Sequence, residues 1–450
     1  AVGTGHTYLS EEELKAGAAE LLKVDPGAMD KHLMDMQMDK RLVVKNLDAA
    51  GQGVNGGGLP VPDAAGGDEP LIRRGVYAAQ YYYTELNAAQ MLHDLNITGS
   101  EPEEQIRKSL AQIQEQEKIE LDELQIQAVI EAVNCGLLII TGGPGTGKTT
   151  TINTIIRYFE MGDMEILLAA PTGRAAKRMT EATGYEARTI HRLLELSGMP
   201  EPNEKSQNSG MHFERNEENP LDADVIIIDE MSMVDIHLLH ALLKAVNVGT
   251  RLILVGDVDQ LPSVGAGDVF RQLIGCGLIP VTVLDLVFRQ GKTSNIHLNA
   301  RKILANRTDF GFGDDFQFVS CNSADETAAM VRQLYQEEVA RNGLDHVQIL
   351  TPYRVKTVNG ANDLNRSLED LINPPSPGKK ELSAGGQTYR EGDKVLQNKN
   401  TLMASNGDLG RITDFYTDEE GTAKTVIEFP DGRIVTYETE DLEMIEHANA

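Results

Sequence analysis

The stretch LLIITGGPGTGKTT, residues 137–150, joins an apolar run to a glycine-rich segment that leads into a helix-like stretch, TINTIIRYF. A short apolar run predicts a buried strand, and G-x-x-x-x-G-K-[ST] between a strand and a helix predicts a phosphate-binding loop. Backbone N–H groups and the helix N-terminus hold phosphates there, while Lys148 neutralises their oxygens and Thr149 can ligate Mg²⁺. We therefore expect ATP and Mg²⁺ as cofactors. The residues expected to hold the nucleotide are Gly143, Pro144, Gly145, Thr146, Gly147, Lys148, Thr149 and Thr150.

Similar apolar runs recur along the chain. They are residues 165–171, 224–230, 251–257, 281–286 and 346–352. Most are separated by stretches with helical periodicity, and near-continuous apolar strands are typical of parallel sheets that helices cover on both faces. The sequence therefore predicts an α/β fold in which ligands bind beyond the carboxyl ends of the strands.

Acidic and amide side chains follow two of these runs. VIIIDE ends on Asp229 and Glu230, of which the first can hold Mg²⁺ and the second can take a proton from an attacking water. RLILVGDVDQ ends on Gln260. From its spacing alone, Gln260 is either a turn residue or a contact to the γ-phosphate and its attacking water.

Composition excludes several classes of protein. The formal net charge of −28 argues against a uniformly basic surface that wraps polyanions, but it is compatible with a narrow basic channel. No apolar run is long enough to cross a bilayer and the N-terminus lacks signal-peptide character, so we expect a cytoplasmic protein without membrane contact. Cys135, Cys276 and Cys321 lie far apart without Cys-x-x-Cys or Cys/His clustering, which predicts neither disulfides nor zinc.

The regions that flank the predicted α/β core have different residue patterns. Residues 10–22 and 26–39 have helical spacing, whereas 41–45 and 75–83 (GVYAAQYYY) are β-like and flank a glycine-rich tip. This order predicts a small winged-helix-like module, which is either a structural adaptor or a nucleic-acid contact. From about residue 371, short strands divided by turn signals predict a small β-barrel-like insert.

Six motifs in one order resemble the motif series of superfamily 1 DNA helicases. They are GGPGTGKTT (142–150), APTGRAAKRM (170–179), TIHRLL (189–194), DEMSMVD (229–235), GDVDQLPSVGAGD (256–268) and LDLVFRQ (284–290). The series is most similar to the RecD-type, exodeoxyribonuclease V alpha-subunit-like members, which move 5′→3′ on single-stranded DNA. The resemblance covers about residues 1–446. It implies RecA-like P-loop motor domains with parallel sheets, and an ATP hydrolase that couples hydrolysis to strand separation.

The same resemblance implies roles for individual residues at the nucleotide. Gln125 in LDELQIQAV would recognise adenine, and Gln260 would couple the γ-phosphate with DNA. Arg289 in FRQ would reach the γ-phosphate from the second motor domain. A guanidinium at that place stabilises charge on the transferring phosphoryl group.

The resemblance also implies contacts to single-stranded DNA and to junctions between single and double strands. APTGRAAKRM begins at a strand end and enters a helix, which suits a phosphodiester. His191 lies in a DNA-contacting motif of the family, although a lone histidine in an apolar helix is more usually a packed core residue. The expected DNA-binding residues are Pro171, Thr172, Arg174, Lys177, His191, Thr351, Pro352 and Asn359. Repair or recombination proteins are possible partners, and no clustered Asp, Glu and Lys outside the nucleotide site indicate a nuclease.

Four regions follow from these observations. The expected domains are a winged-helix-like module at 1–98, a first RecA-like motor domain at 99–290, an incomplete second one at 291–370, and an SH3-like β insert at 371–446. An insert at about 196–222 would hold a β-hairpin that helps to separate strands, or would be a surface loop.

After the SH3-like insert, the sequence of this chain departs from the family pattern. A segment reading roughly histidine-lysine-serine-glutamine-glycine and a last arginine motif have no counterpart before the final residues, EMIEHANA. We therefore expect a C-terminally truncated chain with impaired hydrolysis and little unwinding. Two alternatives stay open: a relaxase-type or telomere-maintenance-type helicase, and a nucleotide-dependent DNA- or partner-binding module that performs no unwinding.

Overall fold

The structure is a computed structural model, and it describes two compact units. The described residues are 3, 5–47, 73–197, 212–285, 294–355, 357–399, 401, 403–404 and 406–450. The units comprise Ala1–Phe316 and Gln317–Ala450. Within the described residues, no helix has the length and apolarity that crossing a membrane requires.

The N-terminal part of the first unit is a three-stranded antiparallel sheet with helices. Its elements are β1 Tyr8–Ser10, α1 Glu11–Leu22, α2 Met29–Met38, β2 Leu42–Leu47, β3 Arg73–Ala78 and α3 Ala79–Leu95. The strand order is β1-β3-β2. The sequence predicted a strand through residue 83, but β3 ends at Ala78 because the next residues form α3. Tyr81, Leu92 and Leu95 on that helix are buried, so helical burial outweighs the β-propensity of the tyrosines.

The rest of the first unit is built around a six-stranded parallel sheet. The strands of this sheet are β4 Leu137–Gly142, β5 Ile166–Ala170, β6 Ala187–Thr189, β9 Val225–Ile228, β10 Arg251–Gly256 and β11 Val281–Leu284. A separate short pair consists of β7 Leu196–Ser197 and β8 His212–Phe213. The helices of this part are α4 Glu103–Glu117, α5 Glu123–Asn134, α6 Lys148–Glu160, α7 Gly173–Thr183, α8 Ile190–Leu193, α9 Ile236–Lys244, α10 Val269–Gly275 and α11 Asn295–Leu304. The sheet order is β11-β4-β10-β9-β5-β6, and all its pairings are parallel. The antiparallel pair β7/β8 flanks residues 198–211, which lie outside the described residues.

Helices cover both faces of this sheet, as the continuous apolar runs predicted. On one face, Leu137 and Leu252 pack in a cluster with buried residues of α3 and α9. On the other face, Leu138 and Ile253 pack in a cluster with buried residues of α4, α5 and α6. Successive residues of β4 and β10 therefore point into opposite apolar layers, which is the period of a strand buried on both sides.

The second unit combines two helices with a small antiparallel β domain. Its elements are α12 Ala324–Asn342, α13 Ala361–Ile372, β12 Glu381–Ala384, β13 Gln387–Arg390, β14 Lys394–Gln397, β15 Leu409–Thr417, β16 Ala423–Glu428, β17 Ile434–Glu438 and β18 Ile445–His447. Five of the strands form an antiparallel sheet of order β17-β16-β15-β14-β18, and β12 and β13 form a hairpin. This β domain agrees with the small β-barrel-like insert that the short strands predicted, and with the SH3-like insert that the family resemblance implied.

The strand predicted at 346–352 does not form among the described residues. Ile349 N–H donates one hydrogen bond to the carbonyl of Asn449, while Leu350 is almost fully exposed. A parallel strand is stabilised by neighbouring strands and by cover on both faces, and this segment has neither within the described part of the unit. The apolar composition was therefore misleading here.

Removing side-chain volume from the centre of the sheet should destabilise the first unit. Ile253 is fully buried in β10 between β4 and β9. We expect Ile253→Ala to lower the free energy of unfolding by about 2–5 kcal/mol, because it removes buried methyl groups and leaves a cavity. Denaturant unfolding measures this change. Val264→Ala is the control, since Val264 is 101% exposed and a surface substitution should stay within about 0.5 kcal/mol.

Candidate functional site

The carboxyl ends of the parallel strands meet at one edge of the sheet. Gly256 of β10 lies opposite Thr141 of β4, and Leu254 lies opposite Ile228 of β9. Ala169 of β5 is also opposite Ile228. The predicted loop after β4, the acidic pair after β9, the turn after β10 and the start of α7 after β5 therefore all lie at this edge.

The loop after β4 is shaped to receive phosphates. Gly145 and Gly147 have φ angles of 77° and 89°, a left-handed conformation that favours glycine, and Gly147 caps α6. A Cβ built on Gly143 would meet no atom within 4 Å, so the mouth of the loop is open. Lys148 Nζ donates hydrogen bonds to the carbonyls of Gly142 at 2.6 Å and Gly143 at 3.0 Å. The lysine thus folds back over the cradle, and the Thr149 side chain beside it is exposed.

Two carboxylates with perturbed acidity lie beside this loop. Burial raises the pKa of Asp229, against the hydrogen bond that Glu230 N–H donates to it at 2.8 Å and the charge of Lys148. Burial also raises the pKa of Glu230, and the charge of Asp229 raises it further, while Lys148 and Arg178 act in the opposite direction. The structure therefore brings Lys148 and the acidic pair together, as the strand ends predicted. Among the described residues, no group of three His, Cys, Asp or Glu side chains could hold a metal ion by itself.

The backbone at Glu230 is in an unusual conformation for a residue with a side chain. Its φ and ψ angles are 55° and 41°, in the left-handed region. This conformation costs about 1 kcal/mol or more for a residue with a Cβ. The turn carries Glu230 away from β9 and into the short 3-10 helix Met231–Met233, so the strain is located at the residue expected to act as a base.

Gln125, the residue expected at the adenine, is 2% exposed. Its Oε1 accepts from the N–H of Asp122, as part of a capping box at the start of α5. Its Nε2 donates to the carbonyl of Gly147 at 3.3 Å. Gln125 therefore contacts the phosphate loop directly, and its amide has one further N–H and one lone pair that these two bonds do not use.

Five of the residues expected at the polynucleotide lie just before α7, on α7 or on α8. Thr172 follows Pro171 and caps α7, its Oγ1 accepting from Ala175 N–H at 3.2 Å, while Arg174 on the same helix is exposed and Lys177 is half-buried. His191 is half-buried on α8, with its ring 6.1 Å from the ring of Phe213. These side chains follow β5 and β6, at the same edge of the sheet as the phosphate loop.

Other expected site residues lie elsewhere. Gln260 is exposed in the turn after β10, and Arg289 lies outside the described residues. Thr351 belongs to the second unit, where its hydroxyl donates to the carbonyl of Asn359 at 2.9 Å; Pro352 next to it is exposed. The Oδ1 atom of Asn359 is buried and has no hydrogen-bond partner among the described residues.

Sequence reasoning did not single out three side chains at this edge. Arg178 on α7 is near enough to Glu230 to lower its pKa. Asp257, which is 3% exposed, follows β10 and raises the pKa of Glu230. Thr141 is the only hydroxyl in the run LLIIT, and this polar interruption of a buried strand was the available signal.

A glycine-rich loop between β4 and α6, with an acidic pair two strands away in the same sheet, defines a P-loop nucleotide-binding fold. Comparison with known families matches residues 125–266 to an AAA domain, and residues 364–429 to the SH3 domain of ATP-dependent RecD-like DNA helicases. The predicted resemblance to RecD-type superfamily 1 helicases is confirmed by these matches and by the relatives below.

Two curated relatives illustrate the likeness. The ATP-dependent RecD2 DNA helicase of Deinococcus radiodurans is 35% identical over 321 residues, covering 70% of this chain and 40% of that protein. The RecBCD enzyme subunit RecD of Mycolicibacterium smegmatis is 40% identical over 195 residues, covering 38% of this chain and 34% of that protein. The chain therefore spans two fifths or less of the length of these relatives.

One solved structure aligns with this chain at a TM-score of 0.43. It is described as the structural basis for DNA unwinding at forked double-stranded DNA by two coordinating Pif1 helicases. The identity is 19%, and the alignment covers 73% of this chain and 81% of that chain.

The strained backbone at Glu230 predicts a difference between two substitutions. Glu230→Ala and Glu230→Gly both remove the carboxylate, but only glycine adopts a φ of 55° without strain. We expect Glu230→Gly to be more stable than Glu230→Ala by about 1 kcal/mol in denaturant unfolding. Equal stability, or a more stable alanine variant, would show that the left-handed turn is not retained in solution.

Proposed function

We propose that this chain is the motor part of an ATP-dependent DNA helicase that moves 5′→3′ on single-stranded DNA and couples ATP hydrolysis to strand separation. The observation that supports this most is the placement of Lys148, Asp229 and Glu230 at one sheet edge, with α7 starting at the adjacent strand end. A phosphate loop alone would suit many nucleotide hydrolases. The RecD2 relative, named as an ATP-dependent DNA helicase, supports the choice among them.

ATP fits the loop after β4. The open Gly143, the left-handed glycines of the loop and the first-turn N–H groups of α6 form a cradle of donors for phosphate oxygens. Lys148 would exchange its two carbonyl contacts for phosphate oxygens, which carry a full charge and bond it more strongly. Gln125 would use its remaining amide groups for the base, and the other loop residues would hold the phosphates through their backbone.

Mg²⁺ fits the oxygen donors beside the cradle. The Thr149 hydroxyl and the Asp229 carboxylate would hold it together with phosphate oxygens, since this ion prefers oxygen ligands and few protein side chains. When bound, the ion would neutralise charge that develops on the phosphates. Its charge would also favour ionised Asp229, against the burial that raises the pKa of that carboxyl.

Glu230 would accept the proton of the attacking water. Burial and the neighbouring Asp229 raise the pKa of its carboxyl, and a carboxylate with a raised pKa is a stronger base. Gln260 would orient the same water or sense the γ-phosphate from the next strand end. Arg289 would complete the charge compensation on the transferring phosphoryl group.

Contacts to DNA would begin at α7. The Thr172 oxygen already accepts from Ala175 N–H, so its O–H remains able to donate to a phosphodiester at the helix N-terminus. Arg174 and Lys177 would add charge, and His191 at the next strand end would also contact DNA. Thr351, Pro352 and Asn359 are the proposed DNA contacts of the second unit, considered by itself.

The end of β5, which precedes α7, is hydrogen-bonded to the acidic pair. The carbonyl of Ala169 in β5, three residues before Thr172, accepts a hydrogen bond from Asp229 N–H at 2.9 Å. A change in how Thr172 holds DNA would therefore be transmitted to Asp229 through this hydrogen bond. Alternating grip on the DNA would convert the hydrolysis cycle into stepping. Because the M. smegmatis relative is named as a subunit of the RecBCD enzyme, repair or recombination proteins are the proposed partners.

Two substitutions test the nucleotide chemistry separately. Lys148→Ala should abolish ATP binding, because the phosphate charge loses its only lysine in the loop. Glu230→Gln should retain ATP binding and lower DNA-stimulated hydrolysis by roughly 10²-fold or more, the range for losing a general base. Binding is measured by isothermal titration with a non-hydrolysable ATP analogue, and hydrolysis by phosphate release with and without single-stranded DNA.

Lys244→Ala is the matched control, since Lys244 lies on α9 in an exposed ion pair with Glu217. Its binding and hydrolysis should equal those of the unsubstituted protein. Unwinding of 5′-tailed but not 3′-tailed duplexes would support the direction proposed. ATP binding without any strand separation would favour the nucleotide-dependent binding module instead.

A further inference from the structure

Two side chains from different elements hold the turn after β10 at a single residue, Val258. Val258 N–H donates to Thr141 Oγ1 at 3.3 Å, and the carbonyl of Val258 accepts from Arg271 Nη2 at 2.7 Å. Val258 lies two residues before Gln260. Both of its backbone polar groups are therefore used by side chains, whereas turn residues usually bond to their own neighbours or to water.

The two side chains belong to elements with different tasks. Thr141 is 3% exposed in β4, directly before the residue whose carbonyl receives Lys148. Arg271 is on α10, where Asp268 Oδ2 accepts from its Nε at 3.0 Å and fixes the direction of the guanidinium. Thr141 thus joins the turn to the start of the phosphate loop, and Arg271 joins the turn to α10.

Hydrogen bonds between residues close in sequence stabilise the turn itself. Asp259 N–H donates to Asp257 Oδ1 at 3.0 Å, and Gln260 N–H donates to the carbonyl of Asp257 at 3.2 Å. The backbone at Gln260 is therefore fixed, while its side chain is exposed and forms no hydrogen bond within the described residues. A polar side chain on a fixed backbone beside the phosphate loop is preorganised for a ligand.

We propose that Thr141 and Arg271 are positioning residues, a two-point clamp on the backbone of Val258 that holds Gln260 at the correct distance from the phosphate loop. The inference rests on the proposed function and deepens it, since it names the residues through which Gln260 senses the γ-phosphate. Any shift of the end of β4 when ATP binds passes through the Thr141 hydroxyl to the turn. Arg271 holds the turn at the carbonyl of Val258.

Single substitutions separate positioning from nucleotide binding. Thr141→Val removes the acceptor with little change of volume, and Arg271→Gln removes the charged fork. Each should lower kcat for DNA-stimulated ATP hydrolysis by roughly tenfold, the effect of losing one orienting hydrogen bond, with KM for ATP within about twofold. Thr141→Ser should restore most of kcat. Arg271→Lys should restore less, because an ammonium cannot reproduce the two directed bonds to Val258 and Asp268.

Two matched controls have the same chemistry away from the site. Thr250 is a buried threonine whose hydroxyl donates to the carbonyl of Ala223 at 2.8 Å, near the start of β10 and so at the opposite edge of the sheet. Arg307 is an exposed arginine with a two-bond pair to Asp309. Thr250→Val and Arg307→Gln should leave kcat unchanged, and denaturant unfolding of all variants identifies any loss of folded protein.

A double substitution decides whether the clamp acts through Gln260. Adding Thr141→Val or Arg271→Gln to Gln260→Ala should cause no further loss of kcat, because the residue being positioned is already gone. Additive losses in the double variants, or single variants equal to their controls, would overturn the clamp. If the unsubstituted protein shows no DNA-stimulated hydrolysis while still binding ATP, the proposed function fails, and this outcome differs from either result on the clamp.

Discussion

Parallel pairing of β4, β10 and β9 is the constraint on which the candidate site depends. Because these strands run in the same direction, residues more than one hundred positions apart in sequence emerge at one edge, as with Thr141 and Gly256. Apolar layers on both faces hold the strands in place, so the edge is presented by a close-packed support. The loops at this edge inherit their spacing from the sheet, and a nucleotide site needs that spacing to be fixed.

The same edge concentrates groups that are unfavourable on their own. Asp229 and Glu230 are carboxylates whose ionised forms are opposed by burial, and Glu230 also has a strained backbone. Lys148 compensates for part of this cost, although its hydrogen bonds go to carbonyls and not to a carboxylate. Local strain and shifted pKa values at the end of a stable strand are typical of functional sites. The stability of the sheet makes them tolerable.

Much of this arrangement could be predicted from sequence because its signals are local. The apolar runs identified all the long strands of the parallel sheet, and the residues directly after β4 and β9 identified Lys148 and the acidic pair. Local signals failed where a distant partner decides the outcome. The tyrosine-rich stretch that ends at residue 83 became helical because α3 has an apolar sheet face to cover, and the run at 346–352 pairs with no strand among the residues that the structure describes. The clamp on Val258 joins positions 141, 258 and 271, and no spacing rule relates them.

The position of α3 has a consequence for the modularity of this chain. Tyr81, Leu92 and Leu95 of this helix are buried in the same apolar layer as α9 and the central strands, although α3 follows directly from the N-terminal sheet. The helix therefore belongs both to the N-terminal segment and to the apolar core of the parallel sheet. A shortened protein beginning near residue 99 would keep every nucleotide motif and still lose part of that core. Any transplantation of this motor into another protein would have to carry the N-terminal segment with it as far back as Ala79.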